Sequence, residues 1–491
     1  MEKNTVLINK IVTSTTKVLE VSGDIIVPDI KPDIVSVINT NGIPYIYKED
    51  LSNGKVRFDG NIDTYVVYLA DNGETKSIGA TLSFSDSIED TRLKENCTLK
   101  QKVLLESIDA KVLNERKITI KASLKVKTEV YENEKVEIAS DFETEENLEM
   151  LKETLEVKSL IGSNKVKTSI KEDIAVDNSY NVSEILKTSV EIKSIENKIS
   201  YNKVLAKADA EVKIIFLSDD GRIGVASSNI PVMSFIDLEK VADTHTCTTT
   251  YTARNMLFKA NSKESHTISC QIEFEVECMA FETKSIDVLE DMYGIKNNVK
   301  FSKKEVDVLL AKEINKEKIN ISERVPLENV LNVLDVSTFT RKINSTKSGN
   351  FYNLEGEVIL NIYYEADNRN GLNVKDVTIP FMMKVENDEN IEFEIGNKQF
   401  TVSSENVNCD IELFAKNDLK TTRRISIIEN VEITESSMED DYKMFMYFVK
   451  PGDSVWNIAK KFKVCMNDII DLNKLENPNK LNVGDRLYIM R

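Results

Sequence analysis

Three stretches of this sequence fall into step at one fixed spacing, and that spacing constrains the fold more than any other feature. The stretches 56-VRFDGNIDTYVVYLADNGE-74, 204-VLAKADAEVKIIFLSDDGR-222 and 352-YNLEGEVILNIYYEADNRN-370 begin 148 residues apart. Apolar residues recur at alternate positions: Val56/Val204/Tyr352, Phe58/Ala206/Leu354, Ile62/Ala210/Val358, Val66/Ile214/Ile362 and Tyr68/Phe216/Tyr364. Thr64 interrupts the series against Val212 and Leu360, and Gly60 and Gly356 stand where the second copy has Ala208. A period of two puts successive side chains on opposite faces of a strand, so each stretch predicts a long strand with one face buried. Each copy then reaches a turn: Asp71-Asn72-Gly73, Asp219-Asp220-Gly221, and Asp367-Asn368-Arg369-Asn370-Gly371. Gly and Asn suit such turns because they accept positive φ. Returning strands follow at Ile78–Phe84, Ile230–Met233 and Ile379–Met383, with Pro231 and Pro380 in matching places.

Further strands recur at 117-KITIKASLKVKTEV-130, 267-TISCQIEFEVECMAF-281 and 409-CDIELFAK-416. The segments leading into the three copies differ more: 27-VPDIKPDIVSVIN-39, 182-VSEILKTSVEI-192 and 325-VPLENVLNVLDVS-337. Pro28 and Pro32 exclude a central strand there and favour an edge or turn, after which Ile34, Val35 and Ile38 are expected to pack. Between copies, 143-ETEENLEMLKETLE-156 reads as a short helix, and 301-FSKKEVDVLLAKEINKEKIN-320 as either helix or linker. The expected fold is mainly β: three tandem, sandwich-like repeat domains at 1–156, 157–298 and 299–434. An acidic linker at 435–444 then leads to a small βααβ domain at 445–491.

With 41% apolar residues the chain can build real cores. Its net charge of −18 argues against nucleic acid and anionic membrane surfaces, since both need clustered Lys and Arg. The acidity is uneven: residues 445–491 hold eight Lys and Arg against five Asp and Glu. Met1–Glu20 lacks the apolar core and cleavage site of a signal peptide, and no apolar run approaches the roughly 18 residues of a membrane span. The six cysteines are scattered without a CxxC pair, as in a reduced cytosol. These features lead to the expectation of a cytoplasmic protein. His245 and Cys247 share a strand face, but two ligands make no zinc site. No phosphate loop or HExxH motif occurs. Neither an enzyme nor a cofactor is expected.

The C-terminal segment is legible residue by residue. A strand at Tyr447–Val449 runs into Pro451-Gly452-Asp453-Ser454, where Asp453 or Ser454 can cap a helix. Val455, Ile458, Ala459 and Phe462 then form one buried stripe. A second helix over 466–473 turns Met466, Ile469, Ile470 and Leu472 inward, and the turn 476-ENPNK-480 leads to a closing strand at 487–490. Tyr447, Val449, Gly452-Asp453-Ser454, Ile458-Ala459, Asn473, Pro478, Leu481, Gly484-Asp485 and Leu487 closely resemble the pattern of a LysM domain. Cys465 departs from it, standing where Ser or Thr usually caps the second helix, and a thiol is a poorer acceptor. The resemblance implies a shallow groove for N-acetylglucosamine polymers, walled by Gly452, Asp453, Ser454, Val455 and Trp456 and facing Asn477, Pro478, Asn479 and Lys480. Trp456 lies roughly 100° around the helix from Val455, at the edge of the stripe. An indole there suits sugar stacking or a protein contact, or alternatively shields a small core from water.

The segment Val27 to Ile34, V-P-D-I-K-P-D-I, resembles the SPOCS domain of sporulation and spore-coat proteins, and the later copies are similar in strand pattern. SPOCS repeats followed by LysM resemble the spore-coat morphogenesis proteins of endospore formers. The resemblance implies a non-enzymatic scaffold in the mother cell, placed at the forespore surface. Its implied partners are stage IV sporulation protein A, the coat-basement ATPase, and other coat proteins. Peptidoglycan binding in the cortex or wall is the other reading.

Overall fold

The computed structural model describes residues 2–142, 148–261, 266–327, 329–366, 369–388, 391–403, 405–435, 443–478 and 480–491. The first copy builds β1 (Glu2–Ile26), β2 (Ile34–Ser52), β3 (Lys55–Ala70), β4 (Thr75–Glu89), β5 (Thr98–Asn114) and β6 (Lys117–Asp141). The second builds β7 (Leu148–Ala175), β8 (Val182–Ser200), β9 (Lys203–Ser218), β10 (Ile223–Asp237), β11 (Thr246–Ala260) and β12 (Thr267–Gly294). The third builds β13 (Asn297–Pro326), β14 (Val330–Ser348), β15 (Phe351–Ala366), β16 (Arg369–Val385), β17 (Glu392–Val402) and β18 (Asn406–Glu435). Each unit is a pair of three-stranded antiparallel sheets, ordered β1-β6-β5 with β2-β3-β4 in the first and likewise in the others. The chain is thus mainly β, with three sandwich-like units in tandem.

The aligned stretches are the central strands β3, β9 and β15. Their alternate residues Val66, Ile214 and Ile362 enter the core of their own sandwich. One substitution pattern in these strands is a cross-strand size exchange. Gly60 pairs with Phe84 and Gly356 with Phe381, whereas Ala208 pairs with Val232. A Cβ on Gly60 would lie 2.2 Å from the Phe84 ring and 2.6 Å from the Tyr45 carbonyl. Ala208 is tolerated because its partner is the smaller valine. Pro231 and Pro380 lie on β10 and β16, the outer strands of their sheets, where a missing N–H costs no ladder bond. In the turns, Asn72 Oδ1 accepts from Glu74 N and Asp220 Oδ1 from Arg222 N, with Gly73 and Gly221 at positive φ. In the third turn, residues 367 and 368 lie outside the described residues.

Several local expectations are corrected. Residues 148–156 are strand, not helix, being the start of β7, and 143–147 lie outside the described residues. The ambiguous 301–320 segment lies within β13, a strand of 30 residues. The lead-in to the second unit is Val176, not Val182. Val176 N donates to His266 O just as Val27 N donates to Arg116 O, while Val182 opens β8 as Ile34 opens β2. Val35 is 58% exposed, because only Ile34 of that pair points into the core.

The units meet in several places, and two of these bring all three together. The first is a hub of the long strand ends, where Val6 opposes Val136, Leu155 opposes Ile286, and Val306 opposes Ile425. These six side chains form one buried cluster, so each two-stranded ribbon closes the apolar face of the others. The second is a seam between the β2, β8 and β14 sheets. There Val67, Ile215 and Tyr363, which point away from their own cores, meet Leu186 and Leu334. Consecutive buried residues in β3 and β9, such as 66-VVY-68 and 214-IIFL-217, follow from burial on both faces.

Charges are buried at this seam. Lys187 on β8 and Asp335 on β14 form an ion pair 148 residues apart, with side chains 5% and 10% exposed. Lys213 reaches the same carboxylate at 2.9 Å, and the Lys187 ammonium lies 4.2 Å from the centre of the Tyr363 ring. Burial alone would push the Asp335 carboxyl up, but the two lysines outweigh it and hold it at about 2. Burial pulls Lys187 down, with Lys213 adding like-charge repulsion. Between the first two units, Arg254 donates to Glu49 at 2.9 and 3.0 Å, to Glu275 at 2.8 Å and to the Ile46 carbonyl at 2.9 Å.

Candidate functional site

The C-terminal module consists of β19 (Met444–Phe448), α1 (Val455–Phe462), α2 (Met466–Asn473) and β20 (Arg486–Met490), in the expected βααβ order. Most of the linker, 436–442, lies outside the described residues. Val455, Ile458 and Ala459 are buried with Ile469, Leu487 and Ile489, and Phe462, Met466 and Ile470 pack against them. Leu472 instead faces solvent at 39% exposure. Val449 exchanges backbone hydrogen bonds with Asp485 and Gly484, drawing the 450–454 loop beside the 482–485 turn. Asn473 fastens α2 to β20, donating to Tyr488 O at 2.7 Å and accepting from Tyr488 N at 2.6 Å.

The loop residues divide the work. Ser454 is the N-cap of α1, its Oγ accepting from Asn457 N at 3.1 Å. Asp453 is not the cap. It shapes the loop by accepting from Lys450 N and the Tyr447 hydroxyl, both at 2.8 Å, and these bonds hold its carboxyl below the ordinary range. Gly452 takes φ of 84° and would leave a Cβ in open space. Cys465 stands at the N-cap of α2 and makes no capping bond. The Glu149 carboxylate of β7 approaches Met466 N at 3.4 Å instead, so the neighbouring unit supplies an acceptor that the thiol does not. Asn477 and Lys480 are exposed and Pro478 is half-buried; Asn479 lies outside the described residues.

Trp456 is not at a free edge. It is 7% exposed, buried between the LysM core and residues of the second unit. The indole Nε1 donates to Asp291 Oδ2 at 2.8 Å, and the Tyr293 ring meets it edge-on with centroids 4.9 Å apart. Lys460, one turn along α1, holds both oxygens of Asp291 at 2.6 and 2.7 Å. The Tyr293 hydroxyl donates to Val464 O at 2.8 Å, and Lys463 donates to Asn298 Oδ1 at 2.7 Å. Burial pushes the Asp291 carboxyl up, but the Lys460 and Trp456 bonds prevail and hold it below the ordinary carboxylate range. The indole therefore joins two parts of the chain, a contact between units that the sequence reading of Trp456 did not specify. Lys460, Asp291 and Tyr293 went unnoticed in the sequence because no local pattern links residues about 165 positions apart.

Family comparison bears on both parts of the molecule. The LysM domain model matches residues 447–489, and the SipL, SPOCS domain model matches 33–113 and 181–261. The chain carries SPOCS domains and a LysM domain. The two SPOCS matches begin and end 148 residues apart, the spacing of the repeat, and run from β2 to β5 and from β8 to β11. No curated protein matches the chain. SPOCS and LysM are binding domains, and their combination marks a sporulation-related protein whose LysM domain is of the peptidoglycan-binding kind. Among the described residues no cluster of His, Cys, Asp and Glu could hold a metal, and no helix is long and apolar enough to cross a membrane. Both histidines brace turns beside the SPOCS sheets: His245 Nδ1 accepts from Ala242 N at 3.0 Å, and His266 Nδ1 donates to Tyr180 O at 2.8 Å. The six cysteines are free thiols.

Proposed function

We propose that this chain is a non-enzymatic scaffold for spore-coat assembly and encasement, acting on the mother-cell side of the forespore surface. Its LysM domain binds a coat-basement ATPase of the stage IV sporulation protein A kind, and its SPOCS repeats engage further coat proteins. One observation carries this reading: the LysM helix that bears Trp456 and Lys460 already makes a specific protein contact, with Asp291 and Tyr293. A face that reads a carboxylate and an aromatic ring is suited to protein recognition, where Trp and charged partners dominate the energetics. A second reading, binding of peptidoglycan, is favoured by the loop of Gly452, Asp453 and Ser454 and by Asn477, Pro478 and Lys480, none of which is buried. The test is co-sedimentation of the full chain with purified peptidoglycan, beside capture on the purified basement ATPase. Capture by the ATPase without sedimentation is expected. Sedimentation with no capture overturns the scaffold reading.

A further inference from the structure

The contact between LysM and the second unit has the form of a ligand in its site. Asp291 and Tyr293 are two apart on β12 and so project from one face of the strand, while Met292 between them is buried in the hub. The Asp291 carboxylate takes the Trp456 N–H and the Lys460 ammonium together. Tyr293 lays its ring against the indole and gives its hydroxyl proton to the Val464 carbonyl at the end of α1. Each of these contacts depends on one side-chain chemistry at one place, and together they read a short strand: a carboxylate, a spacer, then a hydroxylated ring.

We propose that Asp291-Met292-Tyr293 is an internal stand-in for the partner segment that LysM recognises, an exposed strand bearing an acidic residue followed two places on by a tyrosine or similar ring. This rests on the reading that the α1 face of LysM binds a partner protein. The basic excess of residues 445–491 matches an acidic segment of this kind. Because the stand-in is tethered to the same chain, it competes at high effective concentration. LysM is therefore held closed until a partner displaces Asp291 and Tyr293 from α1. In the closed state Trp456 and Lys460 are occupied, and the partner must supply both an acceptor for the indole and a counter-ion for the lysine.

Trp456 is the only tryptophan, so its emission and quenching report this site in the full chain. The probe is a synthetic peptide of residues 286–294, IDVLEDMYG, beside a version with asparagine at the second aspartate, the Asp291 position. Asp291→Asn in the full chain should shift the emission to the red, raise acrylamide quenching several-fold, and tighten peptide binding at least tenfold over the unaltered chain. Lys460→Gln should open the site equally but fail to gain the peptide, and the asparagine peptide should bind the Asp291→Asn chain at least tenfold more weakly than the aspartate peptide does. Unchanged quenching in both variants overturns the proposal. So does an opened site that ignores the peptide, or one that takes a tetramer of N-acetylglucosamine in its place. The basement ATPase is then tested on the same proteins. If the peptide binds and the ATPase does not, the scaffold reading falls and the stand-in survives. If the ATPase binds both forms equally and the peptide does not compete, the stand-in falls alone.

Discussion

Replacing Asp335 by alanine is the most informative perturbation of the seam between units. Lys213 is about one-third exposed and can return its charge to water, but Lys187 is 5% exposed and cannot. The variant therefore leaves one ammonium buried over the Tyr363 ring without a counter-ion. Removing one member of a buried pair costs about 3–5 kcal/mol. The depressed carboxyl gives an independent figure. From the ordinary 3.8 to about 2 corresponds to about 2–3 kcal/mol of stabilisation from the charged form. Since the folded-state value lies below the unfolded one, that contribution is complete above about pH 4 and is lost as the pH falls through about 2. Urea unfolding followed by far-UV circular dichroism should show the alanine variant less stable by the larger amount at neutral pH. A double variant, Lys187→Met with Asp335→Leu, should recover most of the loss, because apolar groups of similar size replace buried ion pairs at little cost. A loss under about 1 kcal/mol, or a double variant no better than the single one, would show that Lys187 finds another route to solvent and refute the argument.

Three further outcomes are expected. Gly60→Ala should destabilise the first unit by about 1–3 kcal/mol through its clash with Phe84 and the Tyr45 carbonyl, and adding Phe84→Val should recover only part of that loss, since it relieves the ring clash and leaves the carbonyl one, read as urea midpoints. Ser454→Ala should lower the stability of LysM by about 1 kcal/mol, and Cys465→Ser should raise it by about 0.5–1 kcal/mol by adding an acceptor at α2, both measured as thermal shifts of Trp456 emission. The Asp291 contact, resting on a carboxyl held below its ordinary 3.8, should persist at neutral pH and open as the pH falls below that value. Trp456 quenching that rises while the pH is still above 3.8 would contradict it.

What the sequence revealed and what it hid have a common cause. The strands β3, β9 and β15 were legible because their alternation reflects packing within one sandwich, and the fixed offset made three weak patterns one strong one. The LysM helices were legible from a four-residue stripe and a serine cap, both local. The start of β7 was misread as a helix because, of 148–156, only Leu155 is fully buried, and it is buried in the hub that the units share. Leu151 and the charged pair Lys152-Glu153 break the alternation begun by Leu148 and Met150. The ion pair of Lys187 and Asp335 was within reach of the alignment, since the two occupy one repeat position with opposite charge. The site at Trp456 was not, because its partner residues belong to another domain.

The offset between Lys187 and Asp335 also bears on how such a molecule can arise. Asn39, Lys187 and Asp335 occupy one position of the repeat. In a symmetric trimer of separate subunits that position would present three identical residues to the contact, so a lysine would face lysines and an aspartate aspartates. Only once the copies are encoded separately, as they are within one polypeptide, can each diverge alone and opposite charges settle at equivalent places. The seam thus depends on three distinct copies: no single copy of this repeat could rebuild the contact by self-association.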